Sequence, residues 1–308
     1  MSLELIHESA FYRSARIVVV GVGGRGGNAV AHMIACGVQG VELICADTDA
    51  QALSAIPAHH IIQLGTNGVG TGGQPRQGHA AAKQSVEAIR EAIHGADILF
   101  IVAGTGMGAT AVMARIAREQ GILTAVVLLL PLGDEGTPCQ QDENDGRAEL
   151  EAHVDSLFVV LDDNLQTVFA NNVIRHTVGG LAEIISVISC VSIDMEDIRT
   201  VLKEPGAAVM GTAVASGPDR ARIAAERAAV CSLCEDFDIK GVKAMVVLIS
   251  GSKRSIRLSE VKVAIETIIA LTSPDVTVIN GMAYDDTLQD QIRVTMIATG
   301  LNRVQRHT

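Results

Sequence analysis

Apolar positions along the chain fall into short continuous runs separated by stretches with helical spacing. Residues 15–21 (ARIVVVG) form a β-branched run without polar alternation, the pattern of a parallel strand buried on both faces. A Gly-rich turn follows, then a helical stretch over about 27–36 and a second strand over 40–46 (GVELICA). The pattern continues as helix 79–94, strand 96–102, helix 110–120 and strand 123–130. Strand–helix alternation of this kind predicts an α/β domain, doubly wound around a parallel sheet. Residues 132–147 are polar and bear Pro and Gly, as in a surface loop, and 155–161 is a further strand.

Residues 166–189 carry Val168, Val173, Ile174, Val178, Leu181, Ile184, Ile185 and Ile188 at helical spacing and read as one long central helix. A second α/β unit follows, with helices at 195–203, 219–236 and 259–271. Its strands, at 244–250, 276–281 and 291–299, would form a mixed sheet. The expected division is 1–165, a central helix at 166–190, and 191–308.

At 48% hydrophobic and 19% charged, the 308 residues can bury a large core, which excludes disorder for most of the length. A formal charge of −11 repels phosphate backbones, and with 2% aromatics and no Trp there is no stacking platform, so no nucleic-acid partner is expected. The longest apolar run, 122–132, is too short to span a bilayer, and residues 1–16 have no apolar signal core. The expectation is a cytoplasmic protein without direct membrane insertion. Cys231 and Cys234 form a CxxC that no second CxxC or His pair completes as a zinc site, so they read as reduced thiols of a helix and no metal site is predicted.

The strongest local motif is 21–28 (GVGGRGGN), between a strand end and a helix start. Glycines there admit positive φ and let backbone N–H groups approach a phosphate. Gly21, Gly23 and Gly26 spell GxGxxG, and Asp47 closes the next strand about 20 residues on, so an NAD(P)-binding Rossmann enzyme is one reading. Two further Gly-rich loops, 65–78 and 103–108, suit a polyphosphate over the sheet edge, whereas a dinucleotide needs mainly the first.

The collinear pieces IVVVGVGGRGGNAV, QGVELICADTDAQAL, GADILFIVAGTG, IAREQGILTAVV, HVDSLFVVLDDNL, SIDMEDIRTVL, MGTAVASGPDRA and QIRVTMIATG resemble FtsZ, the bacterial relative of tubulin, from about residue 15 to 300. The resemblance implies the tubulin/FtsZ fold, with an N-terminal GTP-binding domain, a central helix and a C-terminal activation domain. It implies a homopolymer, assembled head to tail into filaments with GTP or GDP at the subunit interface. Mg2+ is a candidate companion ion. Carried over by motif, Gly23, Gly24, Arg25, Gly26, Gly27 and Asn28 would hold phosphates, with Asp47, Thr48 and the 70–73 loop near the γ-phosphate. Gly104, Thr105, Gly106 and Gly108 would be what remains of the phosphate signature loop. Glu135 would contact the ribose, Asn171 would read the guanine edge and Phe169 would stand in for a base-stacking Phe. Asp194 and Asp197 match two acids that one subunit donates to its neighbour's site to activate water.

Departures from the family pattern point to weakened chemistry. The family's loop reads GGGTGTG after AGM, and about four residues are missing here, with loss of phosphate-facing donors worth ~1.5–3 kcal/mol each. Cys139 falls near a nucleotide-contacting Arg, the segment between Leu165 and Asn171 is about a dozen residues short, and Asp47 and Ser192 each replace an Asn. Arg25 acts in the other direction, as a cation in the phosphate loop. Pattern alone reads Asp194 and Asp197 as caps of the helix they begin. His79 and His176 are isolated. The chain stops at Thr308, with Arg303 and Arg306 in its last residues and no adaptor-binding tail visible, as in either a trimmed chain or a tail-less FtsZ-like paralogue, the reading that the shortened signature loop favours. The expectation is an FtsZ-like GTP-binding filament protein with weak or lost hydrolysis. The alternative is a nucleotide-independent filament or oligomer with a vestigial pocket.

Overall fold

A computed structural model describes residues 15–104, 107–131, 149–162, 178–180, 184, 189–191, 193–230 and 239–301. Its first half alternates as the pattern predicts: β1 (Ile17–Val22), α1 (Gly23–Ala35), β2 (Glu42–Asp47), α2 (Ala50–Ser54), β3 (His60–Gln63), α3 (Pro75–Gln84), α4 (Val86–Ile93), β4 (Ile98–Ala103), α5 (Gly108–Glu119), β5 (Leu123–Pro131) and β6 (Ser156–Asp162). The second half contributes β7 (Ser189–Val191), α6 (Met195–Leu202), β8 (Ala207–Ser216), α7 (Arg220–Ala229), β9 (Ala244–Gly251), α8 (Leu258–Leu271), β10 (Thr277–Tyr284) and β11 (Gln291–Leu301).

The described strands form one sheet of eleven, in the order β3-β2-β1-β4-β5-β6-β8-β11-β9-β10-β7. β3 through β6 are mutually parallel, while β11 runs antiparallel to both β8 and β9. The halves meet through a short parallel ladder, Leu157 with Ala207 and Phe158 with Ala208. Side chains alternate across the sheet. Ile17 and Val19 pack under α1 (Ala29, Val30, Met33), whereas Val18 and Val20 face α4 and α5 (Ile89, Val112, Ile116). Burial on both faces is what makes β1 read as an uninterrupted apolar run. The α1 layer continues into the second half, where Val201, Leu202, Val246 and Leu248 belong to the same core.

The structure departs from the sequence pattern at several elements, among them the short helix α2, which the pattern did not show. The helix expected over 79–94 begins at Pro75 and breaks at Ser85, which closes α3 and opens α4. The Ser85 hydroxyl accepts from Gly65 N (2.9 Å) and donates to Gln63 O (3.3 Å), so the break is tied to the end of β3. Strand β3 has only four residues at the sheet edge, too few for a pattern to register. Strand β8 (AAVMGTAVAS) was not predicted, because its Ala, Gly and Ser have low strand propensity. Those small side chains instead let the Ala-rich helix α7 lie close, burying Ala221, Ala224, Ala225 and Ala228 against the Val209 face. The long helix predicted over 166–189 is described at 178–180 and 184, both helical, but Ser189–Val191 is a strand that pairs with Met282 and Ala283 of β10. The helical spacing itself ends at Ile188, so this strand overlaps the expected helix only at Ser189. Cys231 and Cys234 lie outside the described residues.

The second half is clamped by Arg220, only 8% exposed at the start of α7. Its guanidinium bonds both Glu260 oxygens of α8 (2.7 and 2.9 Å) and donates to Asp290 O (2.7 Å) and Ser255 O (2.8 Å). The Arg220 hydrogen bond holds the Glu260 carboxyl below the usual carboxylate range, against the opposing effect of burial. Arg220→Ala leaves a half-buried carboxylate and two carbonyls unmatched, and should lower stability by about 3–5 kcal/mol in urea unfolding. A depressed folded-state pKa stabilises above the unfolded value of about 4.3, and that contribution is lost as pH falls through the folded value. Acid should therefore reduce the stability gap between wild type and Arg220→Ala.

Candidate nucleotide site

Strand β1 ends at Val22, and the chain turns into α1 at Gly23, whose φ of +68° an L side chain rarely adopts. Helix α1 starts without a side-chain cap and without an acidic residue in its first turn, so its leading N–H groups remain available to an anion. Helix α5 also starts without a side-chain cap, after the turn that closes β4. By contrast Asp49 caps α2, accepting from Gln51 N (2.8 Å) and Ala52 N (3.2 Å).

A cavity of about 410 Å³ lies over the carboxyl ends of β1, β2 and β4, the place where open parallel sheets bind ligands. Gly23, Gly24, Arg25, Asp47, Thr48 and Gly104 line it, as do Gly70, Thr71, Gly72 and Gly73. The loop carrying the last four is anchored to the end of β2, with Gly70 N donating to Thr48 O (3.3 Å) and Ala50 N to Gly68 O (3.2 Å). Three Gly-rich loops separated by up to 80 residues thus converge on one opening.

Other predicted residues are placed differently. Gly26 and Gly27 are buried inside α1 and do not line the cavity. A Cβ on Gly26 would stand 2.2 Å from Val102 O, and one on Gly27 2.9 Å from Ile56 Cδ1, so their glycines serve helix–sheet contact. Asn28 is exposed and outside the lining. Gly108 begins α5 against α3, where a Cβ would meet Pro75 O at 2.0 Å, and its neighbour Ala109 lines the cavity instead. Thr105, Gly106, Glu135, Cys139, Phe169, Asn171, His176 and Ser192 lie outside the described residues. His79 is 3.6 Å from Glu149.

Asp49 was missed. Its signal was the D-T-D run at 47–49, an N-cap pattern that also puts a second carboxylate at the cavity wall. Asp47 Oδ1 accepts from Asp49 N (3.1 Å) and from Thr48 Oγ1 (3.4 Å). Among the lining residues Arg25 is the one cation, and Asp47 and Asp49 are the two carboxylates. Burial, with Asp47 adding, pushes the Cys45 thiol up to about 11, so it is a protonated core side chain rather than a nucleophile.

Asp194 and Asp197 are far along the sheet from this cavity, after the edge strand β7. They form a reciprocal capping box, Asp194 Oδ1 accepting from Asp197 N (2.8 Å) and Asp197 Oδ2 from Asp194 N (2.9 Å). Each carboxylate thus uses one oxygen on α6, with Asp194 exposed.

A larger cavity of about 690 Å³ opens at the opposite end of β6, between Arg118, His153, Arg199 and Lys203. Its cations face Glu151 and Asp155, and Arg199 reaches Glu196 at 3.4 Å, so charge is nearly balanced there. Chemistry, not volume, selects the glycine-lined cavity.

Residues 16–170 match the model of the Tubulin/FtsZ family, GTPase domain, and residues 206–302 that of the FtsZ family, C-terminal domain. The chain belongs to the tubulin/FtsZ family. It is 39% identical over 307 residues to the cell division protein FtsZ of Buchnera aphidicola subsp. Schizaphis graminum, covering 94% of this chain and 80% of that protein. The FtsZ of Coxiella burnetii is 38% identical over 308 residues, with the same coverage. An empty FtsZ dimer of M. jannaschii superimposes with a TM-score of 0.82 at 30% identity, over 96% of this chain and 94% of that one. CetZ2 from Haloferax volcanii shares the fold, with a TM-score of 0.76 at 21% identity over 94% and 95% of the two chains. These matches leave the dinucleotide-enzyme reading of GxGxxG without support: in this family the same glycines open a tubulin-type sheet. Among the described residues no helix is long and apolar enough to cross a membrane.

Proposed function

We propose that this protein is a cytoplasmic, FtsZ-like filament subunit of cell division that binds GTP or GDP over α1 and α5 and polymerises head to tail, with weak or lost GTP hydrolysis. The observation that carries the reading is the convergence of three Gly-rich loops and the uncapped starts of α1 and α5 on one cavity. Backbone N–H groups there suit phosphate oxygens, and a side chain at Gly23 or Gly24 would stand in the approach. Gly23, Gly24 and Arg25 would hold phosphates, with Gly104, Thr105 and Gly106 on the other side. Glu135, Phe169 and Asn171 are the candidates for the ribose and base. Residues 1–165 would form the nucleotide-binding part, 166–190 the connecting segment and 191–308 the part that presents Asp194 and Asp197 to the next subunit. A cleavable γ-phosphate is what GTP supplies; the two carboxylates would orient the attacking water as general bases. Asp47 and Asp49 beside the phosphate site oppose anion binding, which supports weakened affinity and makes a companion Mg2+ useful.

Nucleotide content tests the reading. Purified protein is denatured and the supernatant separated by ion exchange, where GDP or GTP near one per chain is expected. An empty supernatant, together with polymers that pellet equally with and without GTP, would favour the nucleotide-independent filament. Persistent monomers at high concentration under both conditions would remove the filament reading.

A further inference from the structure

From the end of β9 into α8 the chain reads SKRSIRLS over 252–259, with three cations in five residues and no Asp or Glu, in a protein whose formal charge is −11. Lys253, Arg254, Arg257 and Leu258 are all exposed, Leu258 at 73%. Among the described residues none of the three cations makes an ion pair, and Lys253 lies over the Tyr284 ring, 5.8 Å from its centre. The carboxylates that touch the loop are spent on holding it. Asp286 Oδ1 accepts from Ser252 Oγ (2.8 Å) and Lys253 N (3.1 Å). Glu260 Oε2 accepts from Arg257 N (3.0 Å), and the same carboxylate is paired with Arg220. The loop backbone is fixed as well. Ser255 N and Ile256 N both donate to Ser252 O (2.9 Å), and Ser255 Oγ donates to Gln289 O (2.7 Å). Ile256 folds over Gly251, where an added Cβ would stand 3.0 Å from Ile256 Cβ. An exposed leucine alone is ordinary. Here it stands beside three cations without carboxylate partners, on a backbone that does not have to be ordered on binding.

We propose that the 252–258 loop is a docking surface for an acidic peptide segment of a partner protein, one that carries carboxylates beside an apolar side chain. Lys253, Arg254 and Arg257 pair with the carboxylates, the two guanidinium forks in the bidentate manner that suits them, and Leu258 covers the apolar side chain. Charge complementarity selects an anionic partner, and reach selects a peptide. At physiological ionic strength charges act over about 8 Å, so a short peptide meets only this loop. A bilayer or a nucleic acid extends past it and meets the net negative charge of the molecule. Surface ion pairs are individually modest, so the affinity comes from several together and falls with added salt. The inference does not involve the nucleotide cavity and stands or falls apart from it.

The test is fluorescence anisotropy on the full chain with a short labelled peptide of Glu and Leu, and with Gln/Leu and Glu/Ser peptides as controls. Wild type should bind the Glu/Leu peptide and bind both controls more weakly. Lys253→Gln, Arg254→Gln and Arg257→Gln together should weaken the Glu/Leu peptide about tenfold or more, and Leu258→Ser about threefold or more, with wild-type melting temperatures because these side chains are exposed. Lys83→Gln, Lys203→Gln and Lys243→Gln together remove the same charge from other exposed positions and should leave binding unchanged. Equal losses in the two triple variants would reduce the effect to net charge and overturn the inference. So would wild type that does not bind the Glu/Leu peptide, or binding that the loop substitutions leave unaltered. Vesicles of phosphatidylglycerol and phosphatidylcholine form the last arm. Loop-dependent flotation with them, without peptide binding, would make the surface a lipid contact and overturn the peptide assignment. Loop-dependent self-association without peptide binding would make the partner a second copy of the chain, with the same consequence.

Discussion

Gly26→Ala is expected to cripple the fold, whereas Gly24→Ala, two residues earlier in the same motif, is expected to leave it intact. The added methyl on Gly26 would lie 2.2 Å from Val102 O and 2.8 Å from Gly21 C, both backbone atoms of central strands. No rotamer relieves such a clash; α1 must move off β1 and β4, whose shared core includes Val19, Val30 and Phe100. Overpacking on rigid backbone should destabilise by ~3 kcal/mol or more, roughly 6 °C or more in melting temperature for a chain of this size. At Gly24 an added Cβ meets nothing within 4 Å, and the backbone is not in the left-handed region. Replacing a helical glycine by alanine there should stabilise by up to ~1 kcal/mol. The same methyl stands in the cavity, so Gly24→Ala should weaken nucleotide binding while raising the melting temperature. Calorimetry and a GDP titration on both variants check this. Loss of stability in Gly24→Ala, or a Gly26→Ala protein as stable as wild type, would contradict the division between ligand-facing and packing glycines.

The second large effect concerns Asp194 and Asp197. If they serve the neighbour's site, removing either carboxylate charge should lower phosphate release by about a hundredfold or more, the usual magnitude of a general base. Alanine is an ambiguous substitution here, because each carboxylate also closes the capping box of α6, and losing a cap costs ~1 kcal/mol. Asparagine retains an oxygen acceptor and caps about as well as aspartate. Asp194→Asn and Asp197→Asn should therefore keep wild-type melting temperatures and wild-type nucleotide affinity of the isolated subunit, and lose residual turnover in polymers. Phosphate release equal to wild type in both would leave the two acids as caps only. Brisk release by wild type would show that the shortened loop after Gly104 still places the γ-phosphate well, since misplacement by about 1 Å is enough to cost on the order of a hundredfold.

Much of this protein is legible in its sequence, for local reasons. The β-branched runs of β1, β4 and β5 are buried on both faces, so their composition alone marks them as strands of a parallel sheet. The first glycine motif marks a strand-to-helix turn because Gly23 must take a positive φ. The order of motifs from residue 15 to 300 carries the family, and the acidic spacing of Asp194 and Asp197 carries their cap. Tertiary structure decided what depends on distant partners. Strand β8, poor in strand formers, exists because β11 pairs along its length and α7 packs on its small side chains. Ser189–Val191, too short for a strand pattern to register, is a strand because β10 offers it a ladder. Within one run of glycines, only the fold separates Gly23 and Gly24, which face a cavity, from Gly26 and Gly27, which face Val102 and Ile56. A glycine has no side chain to show its surroundings, so what its missing Cβ makes room for is set by whatever the rest of the chain brings against it.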